Sequence, residues 1–376
     1  MATTAQQIEP TETSSLSGYR RYVERVVRGE TVLPTVAEIT ERFRAAYPGH
    51  IESRHDLKSA LYLIEALVRT AAVFALTALA LRRGLYWALV PLWLVQALNY
   101  YAIGAIVHDM AHLSFFRSKT LNRVLGCALS SIILFRFLTL ARGHIEHHKY
   151  NQSPLDPKNQ HDLGAARAML WAHRTLFVPA PRAIQMLISW AWILIFIFPV
   201  LGRNNEFGAL RRPSNRGEWL DLCLHLLFWG GAIALLGLRP TLLILFIPVP
   251  LSYVLLAAVF LTHIHERSVC PLQYSEDEYE LLIFNINNLT MGRTLDRLSF
   301  NFARYHVEHH LFPSVPFHKL GPVVEFVHRE YGAHVLPTER YGYGFLERGV
   351  IARIFELRQF EAGGRQFNSA RPLAEA

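Results

Sequence analysis

Charged side chains are scarce in this 376-residue chain, which argues against an ordinary soluble protein. Only 18% of the residues are Asp, Glu, Lys or Arg, whereas soluble domains contain about a quarter, and 51% are hydrophobic. The formal net charge is +8, but the basic residues are spread between apolar segments and form no single block. The composition therefore indicates a membrane protein with positive charge at the membrane surface, and not one whose partner is a nucleic acid.

Cysteine is scarce as well. The three cysteines, Cys127, Cys223 and Cys270, are far apart and form no CxxC pair. This spacing excludes a disulfide framework and a zinc ribbon as the basis of the fold. The first residues, MATTAQQIEPTETSS, are polar and contain no apolar core. They therefore predict no secretory signal peptide.

Four apolar runs are long enough to cross a hydrocarbon core of about 30 Å. They cover approximately residues 60–81, 85–107, 219–238 and 241–262. Only a short turn separates the two runs of each pair, so the sequence predicts an all-α integral membrane protein with four transmembrane helices in two hairpins. Residues 1–57 are expected to form a cytosolic N-terminal segment, residues 58–335 the membrane domain, and residues 336–376 a cytosolic tail.

A fifth apolar run, at about residues 183–201, is interpreted as interfacial or re-entrant. If only the two hairpins cross, the segments that follow residues 107 and 262 lie on the same side of the membrane. An excess of Lys and Arg is typical of cytosolic loops. The loops that this topology places in the cytosol carry nine such residues: Arg117, Lys119, Arg123, Arg142, Lys149, Arg203, Arg211, Arg212 and Arg216.

Histidine, in contrast, is concentrated in three short motifs. An HxxxH motif is followed by HxxHH and, much later, by a second HxxHH. These boxes contain eight of the 18 histidines: His108, His112, His144, His147, His148, His306, His309 and His310. On a helix, residues at i, i+3 and i+4 project from one face. Each box therefore presents two or three imidazoles in the same direction.

Clustered neutral imidazoles favour a site for iron, zinc, copper or nickel. Eight ligands are too many for one ion and are compatible with two ions in a shared site. His263 or His265, just after the fourth apolar run, is a candidate ninth ligand, and His263 is preferred. A zinc hydrolase needs only three protein ligands. A membrane metal carrier or sensor is a further alternative, but transport sites lie near the bilayer midplane, whereas these boxes begin where apolar runs end.

The order and spacing of the boxes resemble the membrane fatty acid desaturase superfamily, which includes desaturases, hydroxylases and ketolases. The resemblance extends beyond the histidines. The segment HHKYNQSPLDP is similar to the family's continuation of its second box, and HVEHHLFPSVPFHKL is similar to its third box. The segment LTHIHERSVCPL resembles a stretch that precedes the third box in some acyl-lipid desaturases. The similarity covers approximately residues 55–330.

The resemblance implies a di-iron centre held by the box histidines at the membrane surface and capped by cytosolic helices. It implies two non-haem irons, O₂ as co-substrate, and insertion of a C=C bond into a fatty acyl chain of a membrane lipid. Asp109, Glu146 and Glu308 are the expected partners that orient the imidazoles. No HPGG motif is visible, so electrons are expected from a separate donor of the ferredoxin or cytochrome b5 type. Hydroxylation or ketolation of a lipid, a carotenoid or a specialised small molecule remains the main alternative.

Overall fold

The computed structural model describes residue 30 and residues 36–150, 213–259, 288–332 and 338–340. Most of these residues are helical, which confirms the all-α prediction. The α-helices in chain order are α1 (Val36–Ala46), α2 (Asp56–Arg82), α3 (Leu89–Ala111), α4 (Lys119–Ile132), α5 (Phe137–Tyr150), α6 (Arg216–Leu236), α7 (Leu238–Thr241), α8 (Pro248–Val259), α9 (Arg293–Leu298), α10 (His306–Leu311) and α11 (Gly321–Tyr331). Two three-residue strands, β1 (Asn288–Thr290) and β2 (Thr338–Arg340), pair in parallel.

Three helical segments are long and apolar enough to cross a membrane: α2, α3 with the 3₁₀ turn Tyr86–Ala88 before it, and α6. At 1.5 Å per residue their 27, 26 and 21 residues extend over about 40, 39 and 31 Å. Large apolar side chains on α2 and α6 are exposed, including Leu57 at 76% and Leu235 at 86%. Such exposure is expected of surfaces that face lipid. These helices indicate a multi-pass membrane protein.

Helix α3 lies at the centre of the described helices, where it packs against α2, α4 and α8. Most residues of its second half are buried, and Ile103, Ile106 and Met110 belong to the main apolar core. On α8, Val249 and Tyr253 pack into the same core. The helix that carries the first histidine box is therefore held on several sides by its neighbours.

The predicted fourth span, 241–262, is described only as far as Val259. Its described part is apolar but interrupted: α7 passes into a π-helical turn, Leu242–Phe246, before α8 begins at Pro248. The Ile247 N–H donates to the carbonyl of Leu242, five residues earlier, at 3.0 Å. Proline cannot donate a backbone hydrogen bond, so Pro248 explains why the regular helix breaks here. The predicted interfacial run 183–201 lies outside the described residues, and the number of spans stays a prediction.

Helices α4 and α5 form a pair that bends by 107°. The pair begins at Lys119, seven residues after His112, and ends beyond His148, whose ring centroid lies 4.5 Å from that of His112. Both ends of the pair therefore lie at the same end of α3. The shape of the pair is therefore that of a re-entrant loop, and the number of membrane crossings stays a prediction.

The bend depends on close packing at Gly126. A Cβ atom at this position would overlap the ring of Phe137, the first residue of α5. We therefore expect Gly126→Ala to destabilise the protein by about 1–3 kcal/mol, as overpacking typically does. The measurement is the Tm in detergent. Gly231→Ala is the matched control, because a Cβ there meets no described atom within 4 Å. Equal Tm values for the two variants would contradict the packing argument.

Candidate metal centre

The first histidine box lies at the end of α3. His108 is in the last turn of the helix, and His112 is the residue that follows Ala111. Because the two residues are four positions apart, their rings project from one side, with centroids 5.2 Å apart. The end of a membrane-spanning helix thus presents two imidazoles side by side, as the sequence predicted.

The second and third boxes come from helices of very different lengths. The second occupies the last turns of α5, and the third occupies nearly all of the six-residue helix α10. The histidines of both boxes are largely buried: His147 is 0% exposed, His306 1% and His309 3%. The structure therefore buries imidazoles that come from three separate parts of the chain.

Five of these histidines form one group. Each offers a ring nitrogen, and the five nitrogens lie within 4.8 Å of one another. The members are His108, His112, His144, His148 and His309. They come from all three boxes, so no single box accounts for the group.

The other three box histidines lie beside this group. The ring centroid of His310 is 5.1 Å from that of His147 and 4.6 Å from that of His306. His310 also stacks on His148, a member of the first group, at 4.1 Å. The eight histidines therefore form one assembly with two adjoining parts.

The distances between ring nitrogens fit ligands that share a metal ion. Nε2 of His148 lies 3.0 Å from Nε2 of His144 and 3.1 Å from Nε2 of His309. One imidazole nitrogen carries either a proton or a lone pair, so it cannot donate to one neighbour while it accepts from the other. Two nitrogens that bind one ion at ~2.1 Å and at about a right angle are about 3 Å apart. The donor set and its spacing therefore suit a metal.

Asp109, predicted to orient His108, is fully buried but has a closer partner elsewhere. Its Oδ1 lies 3.5 Å from Nδ1 of His108, at the limit of hydrogen-bonding distance. Its Oδ2 accepts from the backbone N–H of Phe317 at 2.7 Å. Asp109 thus connects the end of α3 to the segment that follows the third box. It lies beside His108, the histidine that it was predicted to orient.

Glu308 is also buried, and in the described part of the chain its carboxylate pairs with Asn288 and not with a box histidine. Asn288 Nδ2 donates to both carboxylate oxygens, at 3.0 and 2.9 Å. The Asn288 Oδ1 accepts from the backbone N–H of Val307 at 2.9 Å. Burial raises the pKa of Glu308 to about 7. Asn288 therefore holds both the carboxylate and the backbone of the third box.

Replacement of Asn288 tests this arrangement. Asn288→Ala leaves the buried Glu308 without its side-chain donor, and we expect a loss of about 1–3 kcal/mol in stability. Because α10 carries three box histidines, metal loading should also fall on the order of 10–100-fold. Metal content per chain and Tm are measured on the same preparation. Asn99→Ala removes a similarly buried amide nine residues before His108 and should leave metal content unchanged. Equal metal content in the two variants would argue against the assigned role of Asn288.

The remaining predicted residues are placed as follows. Glu146 lies on the exposed side of α5, in contrast to Asp109 and Glu308. His263 and His265 lie outside the described residues, so the choice between them stays a prediction. The structure thus brings together all eight box histidines and two of the three predicted carboxylates.

Sequence reasoning missed the residues that support the boxes. Asn288 is 20 residues from Glu308 in the chain, and no spacing rule connects the two. A second group of supporting residues could have been found from a sequence motif. Asn215 and Glu218, at the start of α6, have the N-x-x-E spacing of a helix-capping motif. The Asn215 Oδ1 accepts from the Glu218 N–H at 3.0 Å, and the Glu218 carboxylate accepts from the Ser214 N–H at 2.8 Å. Glu218 also lies 2.8 Å from Arg142, on the helix that carries the second box.

Apolar helices that end in a buried assembly of imidazoles define a membrane protein with a polyhistidine metal site. Comparison with known proteins identifies the family of this membrane protein. The model of the family "Fatty acid desaturase" matches residues 85–342, and the chain belongs to this family. It is therefore an oxidoreductase of the fatty acid desaturase family with a histidine-box metal cluster.

Individual relatives are distant but align over most of their length. The omega-3 fatty acid desaturase, chloroplastic, of Glycine max is 25% identical over 84% of this chain and 71% of its own. The delta(12) fatty acid desaturase of Mortierella alpina is 23% identical over 76% and 78%. The acyl-lipid omega-3 desaturase (cytochrome b5), endoplasmic reticulum, of Arabidopsis thaliana is 25% identical over 74% and 72%. These relatives are named for different double-bond positions, so the likeness does not assign one to this chain.

Proposed function

We propose that this chain is an O₂-dependent desaturase that introduces a C=C bond into the fatty acyl chain of a membrane lipid. The observation that carries the proposal is the convergence of all three histidine boxes in one buried assembly at the end of a membrane-spanning helix. The family and the names of its acyl-lipid relatives support the choice of an acyl substrate.

We propose two iron ions, one at each of the two adjoining parts of the assembly. The group of five, His108, His112, His144, His148 and His309, supports the first position, and the neighbouring rings of His147, His306 and His310 support the second. We propose His263, with His265 as the alternative, as a ninth ligand. Two non-haem irons bound here supply O₂ activation for the removal of hydrogen from an unactivated carbon. The chain itself holds the imidazoles in place through Asp109 and through the pair of Asn288 and Glu308.

The position of the site suits a substrate that comes from the membrane. The histidines lie where α3 ends and α2 begins, and the backbone N–H of Arg117, shortly after α3, donates to Asp56 at the start of α2 at 2.8 Å. Exposed basic residues surround this end of the helices: Lys58, Arg117, Lys119 and Arg123. By the positive-inside tendency, we propose that the active site faces the cytosol. A separate electron donor reaches it from that side, and cytochrome b5 appears in the name of the Arabidopsis thaliana relative.

Product analysis tests the proposed activity. The chain is expressed in a host that makes saturated and monounsaturated acyl lipids, with His309→Ala as the inactive control, and total fatty acids are analysed by mass spectrometry after derivatisation that locates double bonds. A new double bond that depends on the intact chain is expected. A new hydroxyl or keto group would identify the alternative reaction on the same centre. Unaltered lipids with full metal content would reject an acyl-lipid substrate.

A further inference from the structure

A glycine beside the metal cluster is placed unusually. Gly104 is four residues before His108, one turn away on the same face of α3. Its neighbours on both sides are fully buried at 0% exposure: Ala102, Ile103, Ala105, Ile106 and Val107. Gly104 itself is only partly buried. An ideal Cβ at this position meets no heavy atom of the described residues within 4 Å. Among the described residues, the surface of α3 therefore leaves space at this residue, immediately next to the first histidine box.

Neither usual structural reason for glycine applies here. Glycine weakens the middle of a helix relative to alanine, so it is normally kept where φ is positive or where another group approaches closely. Gly104 lies within the regular helix α3, and its φ is outside the left-handed region. No close approach by a described residue requires it, in contrast to Gly126, which packs directly on Phe137. With respect to the described residues, what the missing side chain provides at Gly104 is space.

This space has an apolar and aromatic border. Tyr101 lies one turn before Gly104, and His108 lies one turn after it. The ring centroid of Phe302 is 5.9 Å from that of Tyr101 and 4.7 Å from that of His108, so Phe302 lies alongside this turn of α3. Tyr101 and Phe302 belong to a buried apolar cluster with Leu289, against which the partly buried Leu255 packs. A hydrocarbon chain suits such surroundings better than a charged or strongly polar ligand.

We propose that the substrate's acyl chain passes His108 through the space beside Gly104, and that the absence of a side chain there determines specificity. This inference rests on the proposed desaturase function. Four residues of α-helix rise about 6 Å, so the chain segment next to Gly104 lies within a few bonds of the carbons that react. A larger side chain at this position should displace that segment of the acyl chain from the histidine assembly.

Graded substitution tests the inference. Gly104→Ala and Gly104→Leu add increasing bulk, and Gly231→Leu is the matched control, since Gly231 is also within a helix, also partly buried, and also has no described atom within 4 Å of a Cβ. Both leucine variants should keep wild-type metal content and Tm, because leucine is a good helix former. Gly104→Leu should lower product formation on the order of 100-fold, the effect that a small misplacement of substrate produces, or move the double bond. Gly104→Ala should have an intermediate effect, and Gly231→Leu none.

The possible results separate the inference from the proposed function. If Gly104→Leu retains metal and gives the wild-type product in wild-type amount, the inference is overturned. If Gly104→Leu loses metal, the test depends on the product formed by Gly104→Ala. If Gly104→Ala forms the wild-type amount of product with the double bond in the wild-type position, the inference is overturned. If the wild-type chain binds metal but forms no product, the proposed function fails. Binding of a radiolabelled lipid with long saturated chains then tests the passage directly: weaker binding to Gly104→Leu than to Gly231→Leu supports it, and equal binding overturns it.

Discussion

His309→Ala is expected to abolish product formation while the membrane fold is retained. His309 belongs to the group of five histidines, and its Nε2 lies 3.1 Å from that of His148. We propose His309 as a metal ligand, so its loss should affect metal binding more than the loss of a residue that only orients a ligand. The decrease should therefore exceed the ~10–100-fold effect that is typical of orienting partners. His147→Ala, in the adjoining part of the assembly, should behave in the same way.

The control for these variants is His55→Ala, because His55 is exposed just before α2 begins. Metal content, Tm in detergent and product are measured together for all three variants. Loss of metal and product at a nearly unchanged Tm is the expected result for His309→Ala and His147→Ala. Product formation at the wild-type level in either variant would show that the altered histidine is not a required ligand.

Glu218→Ala is expected to cause the largest loss of stability. Glu218 is 1% exposed at the start of α6, where its carboxylate lies 2.8 Å from Arg142 and 3.6 Å from the buried Arg136. It also accepts from the backbone N–H of Ser214 at 2.8 Å. Removal of one partner from a buried ion pair costs about 3–5 kcal/mol when the remaining charge stays buried. Arg136 is buried but Arg142 is partly exposed, so we expect a loss near the lower end of this range. Since Arg136 and Arg142 flank the start of α5, the second histidine box should also lose its position.

The comparison variant is Glu52→Ala, which removes a carboxylate from an exposed ion pair with Arg44 at 3.4 Å. Exposed pairs contribute little, so its Tm should be close to that of the wild type. The free energy of unfolding is obtained from denaturant titration in detergent, and metal content is measured in parallel. If Glu218→Ala were as stable as Glu52→Ala, the network at the start of α6 would not hold the second box.

The box histidines could be predicted from the sequence because their spacing is local. A repeat of i, i+3 and i+4 places rings on one helix face whatever the rest of the fold does. The supporting contacts depend on distant parts of the chain, and Asn288 and Glu308 illustrate this. Glu146 and Glu308 occupy the same position in the motifs HIEHH and HVEHH, yet Glu308 is buried and Glu146 is exposed. Tertiary packing, which the motif does not encode, makes the difference.

The bend between α4 and α5 could not be predicted from the sequence either. The turn at residues 133–136 contains neither glycine nor proline, and Leu134 adopts a positive φ of 57°. Its packing provides the explanation: Phe137 fits against Gly126, and the Leu138 N–H donates to Asp221 on α6 at 3.0 Å. Hydropathy detects apolar runs but not such contacts. It therefore predicted α2, α3 and α6 well and the interrupted segment from α7 to α8 less well.

The metal content of the purified, detergent-solubilised protein tests the central claim most directly. We predict two irons per chain in the wild type, with a loss of iron in both His309→Ala and His147→Ala, since these histidines belong to the two adjoining parts of the assembly. A single iron per chain, or a different metal that remains bound in both variants, would contradict a di-iron centre held by the three boxes.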